Sequence, residues 1–372
     1  MFGKTIIMGN DIFGQWIGNI TGTNSGTVIF NIDKGAEDRA LIMFDDVSGN
    51  GDPMTAVSFF QRLPTDKEYH GNLSMFAFFD AKTKQQINTV GKEYPTIGDI
   101  FFSVTNGEMT GRWSTNIGTS GQFVAKRNCC ENVCPVVNVV SWGKFKEFAF
   151  AYVKQGRDFY FRGHETSDYS LRTLYHRMDC WNLARYFTDS LQDLFEALGR
   201  FNNDRYNLND GADFGAGLHL AQHHGFPTPL LDWTLSPFIA SYFAFRQCKR
   251  TVHPKSVRVY CFDKHQWTLD RRETFSGFIS PWALVRPLKL SLGKNQRAIA
   301  QDAVSLYSNV DNIEAVLSSN GQSKYLTYYD IDYNDCNLAL QELRAMGIYE
   351  ERMFPDIDAV CRVAKKTYFG KE

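Results

Sequence analysis

No stretch of the sequence is long and apolar enough to span a bilayer. The opening residues, MFGKTIIMGNDIFGQW, lack the basic start and long apolar run of a secretory signal. A soluble, cytoplasmic protein with no membrane partner is therefore expected. An excess of charge is lacking too: 40 Lys and Arg stand against 41 Asp and Glu, a formal net charge of −1. That balance argues against reliance on a general polyanion-binding surface, and leaves room for a local basic cleft. Cysteine is sparse, with 8 in 372 residues. Cys180, Cys248, Cys261, Cys336 and Cys361 stand singly, as in a reducing compartment. The one cluster, CCENVC at 129–134, has no second ligand pair at short spacing, so linker thiols are the plainer reading than zinc. No metal is expected.

What is present is ample core material. The chain is 43% hydrophobic and 15% aromatic, and its length suits two or three domains. Residues 1–128 read as an all-β unit. Short apolar runs (GTVIFNID, ALIMFDDV, LSMFAFFD, GQFVAKR) alternate with the turn chemistry of GTNSG, VSGNGD and TNGEMTG. The segments WIGNITGTNSG from Trp16 and WSTNIGTSG from Trp113 echo each other. Near the two ends of a β unit, that echo suggests first and last strands meeting to close a barrel. The pattern resembles small avidin- or lipocalin-type barrels. Such a barrel is filled by side chains, holds a ligand, or recruits a partner.

Residues 129–144 read as a linker, and a different grammar follows over 145–372. KFKEFAFAYVKQG (144–156) has helical spacing and a glycine stop. NLARYFTDSLQDLFEALGR (182–200) and FGAGLHLAQHHG (214–225) read as further helices. SPFIASYFAFRQC (236–248) is a helix with Ser236 and Pro237 at its start. DFYFRG and SVRVYCFD (256–263) are strands. The fold class is thus α+β: an antiparallel barrel-like domain, then a mixed α/β domain.

Arg162, at the end of the aromatic strand FYFRGHE, raises the main question. A guanidinium in such a place is costly unless paired. Its partner is a protein carboxylate, Asp232 or Asp168, or a ligand phosphate held bidentately while Gly163 lets the backbone approach. Pro227, Thr228 and Pro229 stiffen the turn into LLDW and so fix Asp232 and Trp233. The helix that starts at Ser236 offers its N-terminus to an anion.

Three segments stand together: FYFRGHETSDYSLRTLYHR, LAQHHGFPTPLLDWTLSPFIASYFAF and NQRAIAQDAVSLYS (295–308). They resemble the FRG domain family, named for the Phe-Arg-Gly at 161–163. The family usually has tyrosine where His224 stands and arginine where Pro229 stands, and Gly-Phe where Asp302, Ala303 and Val304 follow Gln301. The order of motifs is also similar to that of ADP-ribosyltransferases. This implies NAD as substrate, with Arg162 on the pyrophosphate and Gly163, His164, Thr228, Trp233, Thr234 and Arg297 around the cofactor. Asp232 or Gln301 would stabilise an oxocarbenium-like ribose, with Glu314 an alternative in the third motif. His164 or His224 would deprotonate the incoming nucleophile.

The resemblance implies an ADP-ribosyltransferase toxin or effector acting on RNA or protein, in bacterial anti-phage defence or a toxin–antitoxin system, with an antitoxin or regulatory partner. The alternative is a non-catalytic nucleotide- or RNA-binding module whose barrel recruits a partner. The basic run RQCKRTVHPKSVR (246–258) could follow RNA phosphates or form a solvated loop. His219, His223 and His224 have helix-face spacing, but no third ligand type accompanies them. Arg297 and Gln301 share a helix face or one side of a strand. In EERMFPDIDAV, Phe354 is expected to pack, Pro355 to start a helix, and Glu350 and Glu351 to stay on the surface.

Overall fold

The computed structural model describes residues 12–34, 39–48, 51–64, 68–91, 93–128, 137–202, 206–207, 210–247, 255–271, 278–288, 296–318, 325–355 and 357–369. The CCENVC cluster and most of the basic run at 246–258 lie outside them.

Eight antiparallel strands form a closed barrel: β1 (Gly14–Gly22), β2 (Gly26–Ile32), β3 (Arg39–Asp46), β4 (Met54–Arg62), β5 (Glu68–Phe78), β6 (Ile97–Thr105), β7 (Glu108–Thr115) and β8 (Ser120–Arg127). The first and last strands meet, as the echo implied: β1 pairs with β8 from Trp16↔Arg127 to Gly22↔Gly121. Trp113 itself sits on β7, one strand before the seam. The interior is packed with Trp16, Phe30, Ile42, Phe60, Phe102 and Phe123, so the barrel has a side-chain core.

The alternation rule separates two sides of this barrel. On β8, Phe123 and Ala125 point inward while Gln122, Val124 and Lys126 are exposed. On β3, Ala40, Ile42 and Phe44 point inward, yet Leu41 and Met43 on the outer face are also buried. The run ALIMF is continuous because β3 is covered on both faces.

What covers it is the second unit. Its strands are β9 (Val139–Val140), β10 (Phe159–His164), β11 (Leu230–Thr234), β12 (Ser256–Asp263), β13 (Val285–Leu288), β14 (Ala303–Ser308) and β15 (Leu326–Asp332). They form one sheet in the order β13-β14-β11-β10-β12-β15-β9, antiparallel except for the β15–β9 pair. The helices are α1 (Trp142–Gln155), α2 (Leu174–Arg177), α3 (Leu183–Arg185), α4 (Leu191–Asn202), α5 (Gly211–His223), α6 (Pro237–Phe245), α7 (Lys264–Asp270), α8 (Gln296–Ala300), α9 (Ile313–Leu317), α10 (Cys336–Ala345), α11 (Glu350–Met353) and α12 (Ile357–Phe369). Ser141 caps α1 and left-handed Gly156 ends it, as its glycine stop implied. The helix expected at 182–200 is α3 and α4 joined by a π-helical turn, Tyr186–Ser190. The third motif is a helix followed by a strand: Arg297 lies on α8, and Gln301 follows its last residue.

One face of the sheet, with Phe159 and Phe161, packs on α1, α6 and α10. The opposite face, with Tyr160, Trp233, Tyr260 and Phe262, packs on α7 and α9. A third core joins Tyr175, Leu183, Tyr186 and Leu191 to the barrel's outer residues Ile29, Leu41, Met43 and Phe79. Among the described residues no helix is long and apolar enough to cross a membrane. The lone-thiol reading holds for Cys180, Cys261 and Cys361, whereas Cys336 is disulfide-bonded.

Candidate functional site

The site begins where the second sheet comes apart. β10 pairs with β12 along all of its length, from Phe159↔Asp263 to His164↔Arg258. With β11 it pairs at Phe161↔Thr234 and no further. Arg162, the next residue, spans the opening. Its Nη1 donates to the carbonyl of Asp232, a group left without a ladder partner where the strands diverge. Its Nε donates to His164 Nε2 at 3.0 Å.

That second bond fixes the histidine. Since Nε2 accepts, the ring proton is on Nδ1, which donates to the Tyr169 carbonyl at 3.2 Å. Tyr260 donates its hydroxyl to the same carbonyl at 2.7 Å. Burial, and next the charge of Arg162, push His164 down to about 3, so it is neutral at pH 7. Its Nε2 lone pair is engaged by the Arg162 guanidinium, which the histidine thereby orients. Burial lowers Arg162 itself to about 10, with Asp232 opposing and Arg177 adding to the shift; it stays charged.

The glycine of Phe-Arg-Gly has a steric reason. A Cβ on Gly163 would lie 1.9 Å from the Ala240 carbonyl and 2.8 Å from the Ala244 nitrogen. Helix α6 crosses the strand there, and a residue without a side chain permits the approach.

The carboxylates proposed as partners of Arg162 do not pair with it. Asp168 is exposed and accepts from Thr166 Oγ1 at 3.0 Å. The Asp232 carboxylate is exposed and accepts from Gln222 Nε2. Gln222 in turn accepts from Thr228 Oγ1 at 2.7 Å. Thr228 is fully buried and holds Gln222. Arg177, at the end of α2, is exposed, and burial and Arg172 lower its affinity for its proton. Among the described residues, no carboxylate lies within ion-pair distance of Arg162 or Arg177.

The remaining candidates have surroundings of their own. Trp233 is 3% exposed, and its Nε1 has no hydrogen-bond partner among the described residues. Thr234 Oγ1 accepts from the Ser236 nitrogen at 3.1 Å, shaping the turn into α6, where the Ser236 side chain accepts from the Ile239 amide. Arg297 lies over Phe354, 4.3 Å from the ring centroid, with Nη1 3.4 Å from His223 Nε2. His224 is exposed at the end of α5, its ring edge-on to His223 at 5.6 Å. Gln301 is turned elsewhere: its amide donates to the Met353 carbonyl at 2.9 Å. Glu314 is buried, accepts from the Leu171 nitrogen at 3.3 Å, and is raised by that burial. Arg258, beside His164, is committed to Asp330 through bonds of 2.6 and 2.8 Å.

Sequence reasoning passed over Arg177, Gln222 and Tyr260. The first is the last basic residue of the FYFRGHETSDYSLRTLYHR segment, and the second precedes the His-His pair. Nothing in their spacing marks them. Among the described residues, no group of three or more His, Cys, Asp or Glu is placed to hold a metal ion.

The model of the FRG domain family matches residues 157–252, which contain Arg162, Arg177, Asp232 and α6. A search of curated proteins finds no match. Among solved structures, a redesigned β-barrel, mFAP1, bound to DFHBI, is similar to 31% of this chain and 94% of its own length, at 14% identity and a TM-score of 0.23.

Proposed function

We propose that the chain is an NAD-dependent ADP-ribosyltransferase whose pyrophosphate site is Arg162 with Arg177. The observation that carries this reading is the pair of guanidinium groups at the opening of the sheet, neither in an ion pair with a carboxylate among the described residues. Arg177 is near enough for its charge to lower Arg162, and two such cations favour a dianionic ligand. The orphaned Trp233 Nε1 is a donor that a bound nucleotide could satisfy.

In the reaction, the bond between nicotinamide nitrogen and ribose C1′ breaks, and the bonding pair leaves with nicotinamide. An oxygen or nitrogen of RNA or protein bonds to C1′ and releases its proton. The Asp232 carboxylate, oriented by Gln222, supplies the negative charge that a developing oxocarbenium ion needs. The biological setting that fits this chemistry is a toxin or defence effector with a regulatory partner.

One observation favours the second reading, a nucleotide-binding module without turnover. Gln301, the third-motif amide, is held by the Met353 carbonyl. The test is nicotinamide release from labelled NAD, with RNA and lysate as acceptors, alongside calorimetric binding of ADP-ribose. Transfer by the wild type and not by Arg162→Ala supports the transferase. Saturable binding without product supports the module. For either reading, Arg162→Ala should weaken ADP-ribose binding by about 10- to 100-fold, as for loss of a charged hydrogen-bonding group.

A further inference from the structure

Arg177 has no ion-pair partner among the described residues, yet it stands on a short segment fixed at both ends. The segment runs from Arg172 to Asn182. At its start, Arg172 binds both oxygens of Asp311 and donates from Nη2 to the His176 carbonyl at 2.8 Å. The Asp311 backbone nitrogen donates to Gln15 Oε1, on barrel strand β1, at 3.0 Å. At the far end, the buried carboxylate of Asp33, in the barrel after β2, accepts from the backbone nitrogens of Trp181 and Asn182. The Asn182 side chain donates to the Arg39 carbonyl of β3 at 3.2 Å. Between these anchors the chain makes a left-handed turn at Asp179, φ 56°, a conformation that needs support from its surroundings.

We propose that the barrel is a positioning element for the anion site: Asp33 and Gln15 clamp the segment that carries Arg177 and so set where its guanidinium stands relative to Arg162. This rests on the reading of Arg162 and Arg177 as an anion site. The clamp acts through backbone and barrel groups that touch no ligand, so Asp33 is a positioning residue. It also gives regulation a physical route, because a partner that shifts the barrel moves one of the two cations and leaves the other on its strand.

The test uses the full chain and five forms: wild type, Asp33→Asn, Asp33→Glu, Arg177→Gln and the Asp33→Asn/Arg177→Gln double variant. Two quantities are measured. One is amide hydrogen exchange over 174–182 against β12, without ligand. The other is calorimetric affinity for inorganic pyrophosphate. The expected result is faster exchange in 174–182 and unchanged exchange in β12 for Asp33→Asn. Pyrophosphate affinity should fall about tenfold in the Arg177 background and not at all in the Arg177→Gln background, with Asp33→Glu restoring part of the loss. Unchanged exchange in 174–182 would overturn the clamp. An equal affinity loss in both backgrounds would overturn action through Arg177. Faster exchange with no pyrophosphate binding by the wild type would show an ordered segment without an anion site, which overturns the proposal through its premise. Should Asp33→Asn unfold, Arg172→Lys loosens the other end and is read in the same way.

Discussion

The barrel and the second sheet solve the edge problem in opposite ways. The barrel pairs every strand on both sides and fills its interior with apolar groups. The second sheet leaves β10 and β11 joined at a single residue pair and places a cation in the gap. A closed sheet leaves no backbone group for a ligand, whereas an interrupted one exposes carbonyls and donors that something must satisfy. In this molecule the proposed anion site lies at the interruption, and the closed sheet packs against the unit that carries it.

The largest expected effect tests the support. Leu41→Asp places an unpaired charge on the buried outer face of β3, where barrel and second unit share a core. Burying a charge without a partner should destabilise the protein by more than about 4 kcal/mol. Val124→Asp, on the 48% exposed outer face of β8, should change stability by no more than about 0.5 kcal/mol. Urea unfolding of the two variants measures the difference. Equal effects would mean that the barrel does not depend on docking.

Gly163→Ala comes next. Its Cβ would meet the α6 backbone, which cannot swing aside as a flexible side chain could. A loss of about 3 kcal/mol is expected, at the upper end for overpacking. Pyrophosphate binding should weaken with it, since α6 must move off the strand that carries Arg162. Thermal melts and calorimetry on the same preparation check both.

How much of this was readable in advance depends on whether a residue's environment is set by its own element. Barrel closure was legible because turn chemistry and alternation are local. The strand FYFRG, the capped start of α6 and the glycine end of α1 were legible for the same reason. Thr228 and Gln301 show where that stops: their partners, Gln222 and the Met353 carbonyl, come from elsewhere in the fold. Arg177 looked ordinary because an arginine's distance from carboxylates is set by the fold around it and not by its own element. The doubly buried face of β3 was written in the unbroken run ALIMF, and was passed over as one more barrel strand.

Acid offers a smaller test of the open sheet. Burial holds both His164 and His176 at about 3, against 6.5 in the unfolded chain. Between those values the unfolded chain binds protons that the folded one does not. Stability is therefore full above pH 6.5 and falls as pH drops toward 3. Each histidine contributes up to about 1.4 kcal/mol per pH unit. Asp33 and Asp311, which burial raises above 3.8, act with the opposite sign. The contribution is isolated by comparing wild type with His176→Gln: the slope of unfolding free energy between pH 4.5 and 6.5 should be shallower in the variant. Parallel slopes would mean that His176 is protonated in the folded state.

The smallest expected effect on stability belongs to a residue of the proposed anion site. Arg258 and Arg177 are both arginines near the opening, and they differ in what they face. Arg258 is 1% exposed and bound at two points to Asp330, itself 4% exposed. Arg258→Gln leaves a buried carboxylate without its counter-charge, which should destabilise by about 3–5 kcal/mol. Arg177 pairs with no carboxylate among the described residues and adds to the field that depresses Arg162. Arg177→Gln should change stability by less than about 0.5 kcal/mol, and relief of the repulsion gives even a gain a physical basis. Its pyrophosphate affinity should nevertheless fall about tenfold or more. A stable variant with weakened binding is the signature of a charge held for a ligand. An unstable Arg177→Gln would instead place this arginine, like Arg258, among the groups that hold the fold together.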